Sequence, residues 1–156
     1  MNKEDFDYYI FIDYSENLIG YIIIDKESKN KLLPMLVKLK HYKGLKHKIE
    51  YLNTAKKCFE KNSLHNFIVK QRITELRQNV ELCSEIFDFC GLKKESKIFI
   101  SVDDRQYRGF MKLASIVDGK RLKIVKEGEL KKDSIEYKIS LIIDTLLNLK
   151  RTRDKK

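Results

Sequence analysis

Asp13 closes the apolar segment YYIFID (residues 8–13), and Asp103 and Asp104 follow the apolar segment KIFISV (residues 97–102). Carboxylates delivered by two strands to one end of a sheet repel each other, so one must take up a proton or the pair must find a cation. Mg²⁺ or Mn²⁺ suits such a donor set, because hard cations prefer carboxylate and water oxygens. Two such ions about 3.5–4 Å apart can activate a water and stabilise the leaving oxygen of a phosphodiester. Each acid also has a plainer use. Asp13 can start a turn through an Asx hydrogen bond, and Asp104 suits the N-cap of a following helix. That leaves Asp103 as the natural partner of Asp13.

Basic residues lie near these acids in sequence. The stretch KLKHYKGLKHK (residues 38–48) sets Lys40, Lys43 and Lys46 around Tyr42. Lysines gain affinity for phosphates by releasing counterions, and an exposed aromatic ring can stack on a base. Arg105, Arg108 and Lys112 recur at helical spacing directly after Asp103. They can hold phosphates beside a metal or simply form a solvent face. The chain has 33 Lys and Arg against 23 Asp and Glu, a net charge of +10, which points to a polyanion such as nucleic acid. Lys/Glu-rich composition also accompanies thermal adaptation.

Other chemistries find no support. There is no P-loop, no dinucleotide glycine pattern and no G-x-S-x-G elbow. The histidines at 41, 47 and 65 lack zinc spacing, and Cys58, Cys83 and Cys90 form no C-x-x-C pair. Cys83 and Cys90 sit one heptad apart in an apolar stripe, as core residues do. No apolar run spans a bilayer, and the acidic N-terminus runs into a strand rather than a signal peptide. A cytoplasmic location without membrane contact is expected.

The elements that must position the acids follow from periodicity and punctuation. Residues 8–13 and 18–25 read as strands of an antiparallel hairpin turned by Tyr14–Asn17. Pro34 argues against a helix interior, so an edge strand is expected through Met35–Leu39. Helices are expected from Leu45 to Lys61 and from Lys70 to Cys90, the second with Ile73, Leu76, Val80, Cys83, Phe87 and Cys90 inward. A strand at 97–102, a helix to about Val117 and a strand at 121–126 come next. A final helix spans about Ser134–Lys150, opened by Asp133-x-x-Glu136 in the manner of a capping box. Residues 1–150 thus form one α/β domain, with 151–156 a charged and disordered tail.

The order of elements, with one aspartate ending IFID on the first strand and another after FISV on a later one, resembles the ribonuclease H-like superfamily. The resemblance implies a mixed sheet, an antiparallel hairpin plus parallel strands, flanked by helices. It implies Mg²⁺ or Mn²⁺ as cofactor and nucleic acid as partner, with Asp13 and Asp103 as metal ligands. It also implies an acid on an intervening helix, for which Glu50, Glu75 and Glu81 are candidates and Glu75 is preferred. A last acid belongs on the final helix, where Asp144 in SLIIDTLLN is the candidate and Glu136 the substitute. On the sequence alone Asp144 is either a ligand or a solvated residue on a narrow exposed edge. The implied activity is metal-dependent phosphodiester hydrolysis of RNA, an RNA–DNA hybrid or branched DNA. The alternative is a non-catalytic nucleic-acid-binding or protein-interaction module on the same fold.

Overall fold

The computed structural model describes residues 6–91, 95–101, 107–112, 122–132 and 134–154. Its frame is a hairpin of β1 (Tyr8–Ser15) and β2 (Leu18–Asp25). Ser15 lies opposite Leu18, so only Glu16 and Asn17 make the turn. Glu16 takes φ 53°, the left-handed conformation that such short hairpin loops demand. Three further strands complete the sheet: β3 (Lys70–Glu75), β4 (Ser96–Ser101) and β5 (Leu122–Lys126), in the order β3-β2-β1-β4-β5. β2 pairs antiparallel with β1 and β3, whereas β4 runs parallel to β1 and β5. This is the mixed α/β sheet expected from the sequence.

Alternation along β1 divides the core. Ile10 and Ile12 belong to one buried cluster, with Leu82, Ile86 and Phe87 of α4 (Asn79–Cys90). Tyr9 and Phe11 face the other, with Ile139, Ile142, Ile143 and Leu147 of α6 (Ile135–Asp154). Burying such a side chain fully is worth about 1.5–3 kcal/mol, so α6 is held to the sheet chiefly by these residues. Asp13 has the parity of Phe11 and therefore points toward α6. On the same side lie α1 (Lys26–Lys31), α2 (Leu33–Leu36) and α3 (Lys48–Lys61); Leu32 between the first two, Met35 and Leu36 of α2 and Phe59 of α3 join that cluster. Residues 107–112 are helical (α5), and their Phe110 packs against Phe87.

Several elements differ from the sequence reading. The strand expected at Met35–Leu39 is absent, and α2 stands there with Pro34 in its first turn, where a missing N–H costs nothing. The third strand is instead β3, at Lys70–Glu75, where a helix was expected. The helix begins at Asn79 and turns Leu82, Cys83, Ile86, Phe87 and Cys90 inward, leaving Val80 60% exposed. Asp133 lies outside the described residues, and the Ser134 hydroxyl accepts the Tyr137 N–H at the start of α6. That helix also continues past residue 150 to Asp154, because Arg151 and Thr152 both bond back to Asn148. No helix among the described residues is long and apolar enough to cross a membrane.

Candidate functional site

Asp13 and Asp144 line one cleft of about 530 Å³. Asp13 reaches it from the end of β1, where Ser101 of β4 and Gly20 of β2 are its strand partners. Asp144 reaches it from the middle of α6, on the helix face that carries Asn148 and Arg151 one and two turns on. Both acids are only 7% exposed. The solvated alternative for Asp144 is therefore overturned: α6 is packed on more than one side, and this position is covered.

Burial pushes the Asp13 carboxyl well above the ordinary carboxylate range, and the charges of Asp144 and Glu127 push it the same way. The Tyr14 N–H, 2.7 Å from Oδ1, and the Ser101 hydroxyl oppose that shift. Asp144 is also raised, first by burial. The Tyr42 N–H, donating to Oδ2 at 3.0 Å, and the charges of His41 and Lys43 act against the rise, while Glu127 adds to it. Two desolvated acids thus share a cleft, and burial disfavours the charged form of each, a cost that a cation between them would offset.

The cleft's wall is cationic and partly aromatic. Lys43, Lys48 and Arg151 line it, with Lys48 and Arg151 both close to the Tyr42 ring. The Lys48 Nζ stands 5.1 Å and the Arg151 Cζ 5.4 Å from that ring's centre. Asn148, 2% exposed, fixes the arrangement. Its Oδ1 accepts from the Arg151 Nη2 at 2.8 Å and the Ser15 hydroxyl at 3.2 Å, and its Nδ2 donates to the Asp144 carbonyl at 2.8 Å. Arg151 also reaches Glu16 in the hairpin turn, at 3.5 Å.

The other candidates lie elsewhere. Asp103, Asp104 and Arg105 are outside the described residues. Glu75 ends β3 instead of sitting in a helix, and its carboxylate pairs with Arg77 at 2.6 Å. Glu50 and Glu81 stand in the exposed first turns of α3 and α4. Glu136 is held by Lys29 at 2.9 Å; burial opposes its charge, but that partner prevails and keeps its carboxyl below the ordinary range. None of these four lines the cleft. Of the basic candidates, Tyr42 and Lys43 do, whereas Lys40, Lys46, Arg108 and Lys112 do not.

Sequence reasoning missed Glu127, in the turn after β5, which acts electrostatically on both Asp13 and Asp144 and accepts the Ser140 hydroxyl at 3.1 Å. The available signal was an acid at the end of a strand, the same one that marks Asp13. It also missed Asn148 and Arg151, four and seven residues beyond Asp144 and so on its helical face.

No protein-family model matches the chain, and no curated protein matches it in sequence. In structure it is similar to ribonuclease HII of Archaeoglobus fulgidus, solved in complex with PCNA, with a TM-score of 0.56 and 12% identity. The match covers 94% of this chain and 72% of that one. Identity so low speaks for architecture alone. The chain thus has a ribonuclease H-like α/β fold, with a buried pair of carboxylates where its first strand meets its last helix.

Proposed function

We propose that this protein is a ribonuclease H-like, Mg²⁺- or Mn²⁺-dependent nuclease acting on RNA, an RNA–DNA hybrid or branched DNA. The observation that carries this reading is the pair Asp13 and Asp144: both buried, both raised by that burial, and both lining a cleft with a cationic wall. The donor chemistry fits a hard divalent cation, since beside one imidazole, His41, the cleft offers carboxylate, hydroxyl and amide oxygens and no sulfur. Asp13 and Asp144 would hold it. Among the described residues no three His, Cys, Asp or Glu side chains are grouped to hold an ion, so the reading needs Asp103 as a further ligand. Bound there, the ion would polarise a phosphoryl oxygen and lower the pKa of its water.

The chain's own residues supply the rest. Lys43, Lys48 and Arg151 draw a phosphate toward the acids, and Asn148 keeps the Arg151 guanidinium aimed along the cleft. The Tyr42 N–H orients Asp144 by taking one carboxylate oxygen. That same bond, with only two buried acids in the cleft and its third, Glu16, paired with Arg151, favours a second reading, a nucleic-acid-binding module without turnover.

One experiment separates the two. Purified protein is offered RNA, hybrid and branched DNA with Mg²⁺, Mn²⁺ or EDTA, beside Asp13→Asn and Asp144→Asn. The nuclease reading expects metal-dependent cutting that both substitutions abolish. Metal-independent cutting, or cutting that survives both, refutes it. Salt-sensitive binding with no turnover and no response to EDTA establishes the module.

A further inference from the structure

A second cleft, of about 510 Å³, lies on another side of α6, among α3, α6 and β3. Ile73, Leu146 and Leu149 give it an aliphatic lining, while Lys56, Lys150 and Arg153 supply charge. Among the described residues no acid and no aromatic ring lines it. It opens at β3, which ends the sheet, so the side of β3 away from β2 has no strand partner among the described residues.

We propose that this groove docks an extended acidic segment of a partner protein, which adds to β3 as a further strand. The main chain would pair with the open edge, apolar side chains would alternate into the aliphatic lining, and carboxylates would meet the basic residues. Each part of the groove selects that occupant. Lys56 and Arg153 are exposed and have no ion-pair partner among the described residues, so they fix the sign of the ligand. Nucleic acid fits less well, because an aliphatic lining offers no ring for a base to stack on and a phosphate backbone cannot continue a β-ladder. A second copy joined edge to edge would offer a β3 strand with two basic residues, Lys70 and Arg72, against one acid, Glu75, the wrong balance of sign for a groove lined by Lys56 and Arg153. The proposal is independent of catalysis at Asp13 and Asp144.

The test uses the whole chain and a decapeptide of alternating leucine and aspartate. Its controls are the same peptide N-methylated on alternate amides, its leucine–lysine counterpart, and a short oligothymidylate. The acidic peptide should slow amide hydrogen exchange at residues 70–75. N-methylation should abolish that protection by blocking the ladder. Lys56→Glu with Arg153→Glu should weaken binding about tenfold or more, as loss of two charge contacts implies; should that variant fail to fold, Lys56→Gln with Arg153→Gln replaces it. Binding that leaves 70–75 unprotected, or that tolerates N-methylation, overturns the proposal. So does oligothymidylate or self-association protecting the same edge in the peptide's place.

Discussion

Gly20 is where the sheet, α6 and the acid pair meet, and a single methyl group there tests the packing. Gly20 is the strand partner of Asp13. A Cβ on it would stand 2.9 Å from Ile73 Cγ1, 3.1 Å from the Arg72 carbonyl oxygen and 3.2 Å from Ile143 Cδ1. One of those atoms is strand backbone and the other two belong to packed isoleucines, so the strain cannot be shed by one flexible side chain. Overpacking of this kind costs about 1–3 kcal/mol, while alanine in a strand recovers about 0.5–1 kcal/mol of glycine's conformational entropy. The net loss for Gly20→Ala is about 0–2.5 kcal/mol, from the difference of those terms. For a chain of this size that lowers the melting midpoint by up to about 10 °C. Urea and thermal unfolding of Gly20→Ala, Ile143→Val and the double variant give the cycle. Ile143→Val alone should cost about 0.5–1.5 kcal/mol. In the Gly20→Ala background it should cost less, since it removes one of the colliding atoms. Strict additivity, or a Gly20→Ala protein more stable than the parent, refutes the reasoning. Because Ile143 adjoins Asp144, the same substitution should also weaken any divalent-metal binding, read by titration calorimetry.

Further outcomes follow from the burial and bonding around the site. Asp13 and Asp144 have raised folded-state values, so the folded chain holds protons that the unfolded chain releases from a pH of about 4 upward. Their contribution to stability is full below that pH and is lost as pH rises through the raised values; in metal-free urea titrations Asp144→Asn should flatten the decline, and an unchanged slope would count against the assigned burial. Asn148→Ala strips partners from Arg151, Ser15 and the Asp144 carbonyl. It should cost about 1–3 kcal/mol by leaving buried polar groups unpaired, measured by denaturant midpoint. Phe99, 1% exposed and stacked on Phe11 with ring centres 4.9 Å apart, anchors the α6 side of the sheet. Phe99→Ala should cost about 3–5 kcal/mol and Phe99→Leu much less; equal losses would mean that ring stacking on Phe11, and not buried volume, carries the contribution.

The strands that carry the site were legible because they are buried on both faces and read as continuous apolar runs: YYIFID, LIGYIIID and KIFIS. Asp13 was legible for the same reason, as the first charge to end such a run. β3 was not, because KQRITE is an edge strand of exposed and half-buried positions with no apolar run to betray it. Ile73 then joined by chance a helical spacing with Leu76 and Val80. The α2 segment was misread on Pro34, although Leu32, Met35, Leu36 and Leu39, all buried, already had the three-and-four spacing of a helix. The partnership of Asp13 with Asp144 required knowing which face of β1 meets α6, and that follows from register rather than from any local motif.

The last turns of α6 form walls of both clefts, through Asn148 and Arg151 on one side and Leu149, Lys150 and Arg153 on the other. Helix ends are where a native chain opens most cheaply, by local fraying well below the cost of global unfolding. A ligand in either cleft would have to hold those turns wound, and so would lower the ordering cost for a ligand in the other. The two clefts are therefore expected to sense each other through the order of one helix terminus, without any movement of the sheet.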